Sequence, residues 1–203
     1  MYKVTRSPFV ALSKGAFAAA LLSATLAATT VQAAPPPAEL RYDFIDIGAN
    51  FGEVDDTDFS GIGVAGSWGF HPNIALFGSL GTGEIDAFGD VDTKELTIGI
   101  NPHFALTERI DLVIPIALEY ADFDTAFGGD DDTGYSIGVG ARFLPTPAWE
   151  FGLGIQHVDI FSSTDQNLFG SARWHINQLF SLGLGGSFGD DVSSAQLDVR
   201  FSF

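Results

Sequence analysis

Residues 195–203, AQLDVRFSF, alternate apolar and polar side chains without a break. Ala195, Leu197, Val199, Phe201 and Phe203 fall on one face, and Gln196, Asp198, Arg200 and Ser202 on the other. A period of two is that of a β-strand. The sequence stops on an aromatic, although its formal net charge is −17. In water such a strand is an unprotected edge that invites pairing with other chains. What matters is which solvent the strand meets.

The rest of the sequence repeats the pattern. Ten segments of about ten residues alternate in the same way. Ile62, Val64, Trp68 and Phe70 alternate with Gly61, Gly63, Ala65, Ser67 and Gly69. Leu96, Ile98, Ile100, Pro102 and Phe104 form one face of a later segment, and Tyr135, Ile137, Val139, Ala141 and Phe143 that of another. The segments near 42–52, 74–84, 149–160 and 167–176 follow less cleanly. One face is bulky and apolar, and the other is Gly, Ser, Asn and a few charges. A soluble sandwich or barrel fills its core with the bulky face. Here the small face can neither fill a core nor clothe a surface in water. The bulky face therefore looks into lipid and the small one lines a lumen, as in a transmembrane β-barrel. The expected fold is all-β: a closed antiparallel transmembrane β-barrel of about ten strands, with eight as the fallback. Closure pairs the last strand with the first and removes the edge.

The N-terminal stretch points to export. Lys3, Arg6 and Lys14 precede an Ala/Leu-rich run, and Val31-Gln32-Ala33 has the small-x-small form of a cleavage site. Residues 1–33 read as a signal peptide, 34–39 as a short Pro-rich segment and 40–203 as the barrel. The chain has no cysteine, which excludes disulfides, thiol catalysis and Cys-ligated metals. Connections alternate between short ones (70–73, 105–108, 144–147, 176–178) and longer ones (52–58, 85–92, 122–134, 161–165, 189–193). Short turns belong in the periplasm and long loops outside. Trp68, Trp149 and Trp174 fall near the short-turn ends, and Phe51, Tyr120, Tyr135 and Phe188 near the loop ends, giving two aromatic girdles. Pro115, mid-strand in LVIPIALEY, has no edge to excuse it and predicts a bulge or a break in the ladder.

The chain resembles the small outer-membrane β-barrel proteins. More narrowly it resembles the diffusible-signal-factor-regulated surface-protein family of gammaproteobacteria, through GSWGFHPNIALFG, RIDLVIPIALEYADFD, GYSIGVGARF and the terminal VRFSF. That resemblance implies the outer membrane of a Gram-negative bacterium. It also implies that Phe201 and Phe203 are the signal read by the barrel-assembly machinery. Outer-membrane lipid and lipopolysaccharide are the other expected partners. Nucleic acid is not expected, and the protein is expected to be a monomer.

Charge divides the barrel. Three of the nine basic residues lie in the leader, so six face 26 acids in the remainder. The acids crowd the long connections, and Lys94 is the only base beside them. Arg41, Arg109, Arg142, Arg173 and Arg200 lie toward the short-turn end. The acidic rim reads first as a solvated, repulsive surface. No cofactor is expected, but Asp122, Asp124, Asp130, Asp131 and Asp132 could form a weak site for Ca²⁺ or Mg²⁺, since hard cations need several oxygens at once. By parity Asp46, Glu95, Glu119, Arg142, Glu150, Arg173, His175, Asp198 and Arg200 point into the lumen. Arg142 and Glu150 flank the 144–147 turn symmetrically and should face each other. Arg142, Glu150, Arg173, Asp198 and Arg200 form the expected charge cluster, either bracing and plugging the barrel or selecting ions. The glycine lining leaves room for water above it.

Catalysis at the rim finds little support. His157 and Asp159, or Asp90 and Asp92, supply the residue types of an acid–base pair. Parity puts His157 and Asp159 on the outer face, with no cleft above them. The expected function is a non-enzymatic surface barrel acting through its acidic loops, with a narrow porin for small solutes or ions as the alternative.

Overall fold

The computed structural model describes residues 40–54, 57–86, 91–125, 128–189 and 192–203. The leader read at 1–33 and the Pro-rich segment at 34–39 lie outside the described residues, as do Asp55, Asp56, Asp90, Asp190 and Asp191. The elements are β1 (Phe44–Val54), β2 (Thr57–His71), β3 (Ile74–Ile85), β4 (Val91–Thr107), β5 (Ile110–Val113), β6 (Ile116–Thr125), β7 (Gly128–Thr146), β8 (Trp149–Ile160), β9 (Ser163–His175), β10 (Phe180–Phe188) and β11 (Val192–Ser202). Each pairs antiparallel with its chain neighbour, and β1 pairs with β11 from Phe44↔Ser202 to Val54↔Val192. The last strand thus has no free edge. β5 and β6 are two halves of one wall strand, so the barrel has ten walls.

Pro115 causes the split without a bulge. Val113 faces His103 and Ile116 faces Ile100, so the register is the same on both sides of the gap. The Ile114 N–H donates to Pro102 O at 2.9 Å, and the Gly138 N–H donates to Pro115 O at 2.8 Å. Each pair should exchange two bonds. Pro102 and Pro115 lack the N–H that would return the second, so the ladder loses a bond on either side.

The faces divide as the alternation requires. Ile47, Ile62, Val64, Leu80, Leu118, Leu153 and Ile155 are exposed on the outside. In water this belt would be a large aggregation surface, whereas in lipid it is the normal exterior of a barrel. At the short-turn end Trp68 packs beside Phe70, Trp149 beside Phe151 and Phe180 beside Phe201, with ring centroids 5.4–6.2 Å apart. Trp149 stands opposite Trp174. At the far end Tyr135 packs against His157 at 6.0 Å.

Two expectations need correction. Two of the long connections are mostly strand: in 122–134 β6 runs to Thr125 and β7 starts at Gly128, and in 161–165 β8 turns into β9 through Phe161 and Ser162 alone. Both turn residues have positive φ, 54° and 56°, as a two-residue hairpin of matching twist requires. Asp122, Asp124, Asp130, Asp131, Asp132 and Asp165 therefore stand on hairpin strands rather than on loops. The first wall strand starts at Phe44 rather than 42, and Tyr42 belongs to the lumen.

Charge and turn length predict an orientation with the acidic hairpins outside. Cysteine placed at Asp131 should react with a membrane-impermeant maleimide on intact cells, and cysteine at Thr146 should not. Labelling of Thr146 alone would invert the barrel.

Candidate functional site: the base of the lumen

Strand parity brings the expected lumenal charges together at the short-turn end. The Arg200 guanidinium grips the Asp46 carboxylate with two bonds, Nε–Oδ1 2.7 Å and Nη2–Oδ2 2.6 Å. These residues are register partners on β11 and β1. Arg173 Nη2 lies 2.6 Å from Asp198 Oδ1 and 3.7 Å from Asp46, and its Nη1 donates to Ser181 Oγ at 3.3 Å. Arg142 meets Glu150 Oε1 through Nε (2.9 Å) and Nη2 (2.8 Å). His175 Nε2 is 3.3 Å from Glu150 Oε2. Three guanidinium groups and three carboxylates thus form a continuous belt on β7, β8, β9, β11 and β1. Charge-assisted, mutually satisfied pairs of this kind can persist in low dielectric.

Arg142 and Glu150 meet, but not face to face. A register shift between Phe143 and Thr146 leaves a two-residue turn, Pro147–Ala148, so Arg142 stands opposite Gly152. Glu150 stands opposite Arg173. The Arg142–Glu150 pair is diagonal, and the symmetric reading of the turn is corrected.

The ion pairs hug the wall. Arg173 and Asp198 sit on strands either side of β10, with Gly183 between them in register. A Cβ at Gly183 would lie 2.7 Å from Arg173 Nη2 and would overlap the Asp198 carboxylate. The pair lies flat across bare glycine backbone.

What crosses the lumen is Tyr42, which sequence alone assigned to the first strand. It is 8% exposed and forms a small apolar core with Ala75 of β3 and Val113 of β5. Its Oη donates to Asp111 Oδ2 at 2.7 Å. Its ring stacks on His103 of β4, with centroids 3.7 Å apart, and the Arg142 guanidinium lies 4.5 Å from the ring centroid. Neighbours hold the segment: Arg142 Nη2 donates to Arg41 O at 3.0 Å, the Gly69 N–H to Asp43 Oδ1 at 2.9 Å and the Phe203 N–H to Asp43 O at 3.2 Å. Together the belt and this strap draw a residue from every wall. One signal was available: Tyr42 breaks the bulky-outside rule, being a large residue in even register with inward Phe44 and Asp46.

Above the base the lumen widens into a cavity of about 490 Å³, lined by residues such as Asn50, Ser67, Ser79, Glu95, Ser171 and Gln196. Glycine does more here than leave room. Phe77 points inward over Gly99, where a Cβ would come within 2.7 Å of its ring. Phe169 lies across Gly154 and Gly140, and a Cβ on either would press on it. Glycine rails are thus beds for two lumenal rings. Glu119 is held by the hydroxyls of Thr97 and Ser136, both at 2.6 Å. Glu95 lines the same cavity.

The five aspartates considered for a divalent cation do not meet in one site. Register puts Asp122 opposite Asp131 on the outer face, with Asp124 beside them, while Asp130 and Asp132 turn inward. Lys94 Nζ bridges Asp122 (3.3 Å) and Asp124 (3.2 Å). Asp132 accepts the Thr133 N–H at 2.8 Å and the Phe161 N–H at 2.5 Å, closing the top of β7 where β8 no longer covers it. Among the described residues no group of three or more His, Asp or Glu side chains converges as metal ligands do. Protease resistance of the 122–134 hairpin should therefore rise equally in CaCl₂ and in NaCl of matched ionic strength, since both salts screen the carboxylates. Selective protection by Ca²⁺ would restore the cation site. His157 and Asp159 are on the outer face: His157 packs on Tyr135, and Asp159 lies 3.5 Å from Thr164 Oγ1. Of the other rim acids weighed, Asp92 points outward in register with Glu84 and Asp124.

No curated protein matches the chain in sequence. Several solved barrels resemble it weakly. The KdgM porin in complex with disordered oligogalacturonate has 9% identity and a TM-score of 0.47 over 79% of this chain and 99% of its own. Ail, the attachment invasion locus protein of Yersinia pestis, in complex with the heparin analogue sucrose octasulfate, has 17% identity and a TM-score of 0.39 over 80% and 100%. Neisserial surface protein A has 12% and 0.40 over 80% and 96%. The outer membrane protein beta-barrel domain model matches residues 16–198. The closed ten-walled sheet, its lipid-facing belt and that match agree: the chain belongs to the outer membrane protein beta-barrel domain family and resides in the outer membrane of Gram-negative bacteria.

Proposed function

We propose that this protein is a non-enzymatic surface barrel, closed to solute flow in its resting form, that presents acidic hairpins to the outside of the cell. Tyr42 carries the reading. An aromatic ring clamped by Asp111, His103 and Arg142 fills the half of the base that the ion-pair belt leaves open. Freezing a ring there is favourable only because each of its polar and apolar surfaces has a partner. The acidic tips suit a surface role: a field of one sign keeps neighbouring molecules apart and attracts cationic or cation-bridged surfaces, lipopolysaccharide among them. The narrower resemblance to diffusible-signal-factor-regulated surface proteins agrees with this role and is retained in it. Monomeric insertion through the barrel-assembly machinery is part of the same reading.

A constitutively open porin is the second reading, favoured by the glycine-lined cavity. Planar-bilayer recording separates the two. The refolded wild-type protein should insert without resolvable conductance steps in molar KCl. Steady open-channel steps from the wild type would overturn the closed-barrel reading.

A further inference from the structure

We propose that the strap Leu40–Asp43 is a removable stopper, and that the barrel behind it is a latent cation-preferring pore. The inference rests on the resting closure proposed above and goes beyond it.

The belt and the strap block the base differently. The short ion pairs of the belt join side chains on adjacent walls, or on walls one strand apart, and lie along the wall; the longer Arg173–Asp46 contact, 3.7 Å, spans two intervening strands. Asp46 and Arg200 are register partners, and Arg173 reaches Asp198 across a bare glycine. Such pairs narrow a lumen without crossing it. The strap crosses it, since its contacts reach β2, β4, β5, β7 and β11. Only the Phe203 N–H bond to Asp43 O continues a ladder, that of β1 and β11. Five hydrogen bonds, one stack and one cation–π contact hold the segment. Such a segment is released at lower cost than any wall, because its loss takes one terminal bond from the barrel ladder.

Removal of the strap would join the base to the cavity of about 490 Å³ above it. The belt would then line one side of the opening with three guanidinium groups already matched by three carboxylates. Two carboxylates above the belt, Glu95 and Glu119, have no cationic partner among the described residues. Thr97 and Ser136 give Glu119 hydroxyl bonds only. Unmatched negative charge facing a narrow aqueous path favours cations. Phe59, Ile85, Val91 and Phe123 point inward toward the outer mouth and are half-buried.

The experiment compares conductance of four refolded proteins in planar bilayers: wild type, Tyr42→Ala, a form lacking residues 34–43, and that form carrying Glu95→Gln. The expected result is a silent wild type, brief openings in Tyr42→Ala and long openings without the strap. Reversal potentials in a KCl gradient should favour K⁺ in the strapless form, and Glu95→Gln should weaken that preference by severalfold. Each preparation is first checked for the heat-modifiable mobility of a folded barrel, so that silence is not misfolding. A folded strapless form that stays silent overturns the stopper and leaves the closed-barrel reading intact. A wild type that conducts as well as the strapless form overturns both. Strapless openings that prefer Cl⁻, or that ignore Glu95→Gln, overturn the assignment of selectivity.

Discussion

Gly183→Ala is expected to destabilise the barrel strongly, while Gly185→Ala, two residues along the same strand and on the same inward face, is expected to be nearly silent. The added carbon is the same in both. At Gly185 the nearest atoms are the Gly170 carbonyl oxygen at 3.6 Å and Ser171 Cβ at 3.9 Å, ordinary contacts. At Gly183 the carbon arrives 2.7 Å from Arg173 Nη2 and overlaps the Asp198 carboxylate. The backbone cannot retreat, because β10 is laddered to β9 and β11 on both sides. The Arg173–Asp198 pair must part. Both side chains are about nine-tenths buried, so each becomes a charge without its partner. Breaking a buried pair costs about 3–5 kcal/mol. Lumenal water can reach part of the gap, so about 3 kcal/mol is the expected loss for Gly183→Ala, with Gly185→Ala within about 0.5 kcal/mol of wild type. Denaturant unfolding in detergent or lipid measures both. In a second comparison, Gly183→Ala on an Arg173→Met, Asp198→Leu background should lose most of its effect, because no charge remains to be displaced. Equal losses at the two glycines would show that strand propensity, not the ion pair, sets the cost.

That contrast marks where sequence reading stops. Gly183 and Gly185 are alike in LGLGGS, and only the side chains of the neighbouring walls distinguish them. Properties carried by the period of two were legible: the ten walls, the lipid face of Ile47 or Leu118, and the inward charges. Their partners are set by register, which depends on turn geometry. The shift at Phe143–Thr146 moved Arg142 off Glu150 and on to a diagonal, and nothing in LPTP announces a two-residue turn. Pro115 was legible as a ladder defect. That Pro102 stands opposite Ile114, so that two prolines share one defect, required the register.

Other features were hidden by the rule that revealed the fold. By the alternation alone a small inward residue reads as empty space, yet Gly99, Gly140 and Gly154 accommodate Phe77 and Phe169. A long polar stretch such as 122–134 reads as a loop. A hairpin that leaves the membrane no longer needs an apolar face, so its strands lose the alternation by which strands are recognised. Tyr42 reads as part of the first strand because nothing in the local pattern distinguishes the last residue before a strand from its first.

Phe203→Ala is expected to remove most of the protein from the outer membrane while leaving the folded barrel almost as stable as wild type. Phe203 is 57% exposed at the foot of the barrel, where its ring touches Phe201 at 6.3 Å. Its N–H bond to Asp43 O is a backbone contact that alanine keeps. What is lost is the outer part of one half-exposed ring, worth about 1–2 kcal/mol at most. A change of that size cannot empty the membrane of a barrel held by ten ladders. Recognition before insertion can, if the assembly machinery reads the aromatic end of VRFSF as the resemblance implies. The two effects separate in one pair of measurements. Outer-membrane levels of Phe203→Ala are compared with wild type at equal synthesis, and the inserted fraction is then unfolded by denaturant. A large fall in level with a near-normal unfolding midpoint supports recognition. Loss of level and midpoint together would make Phe203 a structural anchor, and normal levels would remove it from the assembly signal altogether.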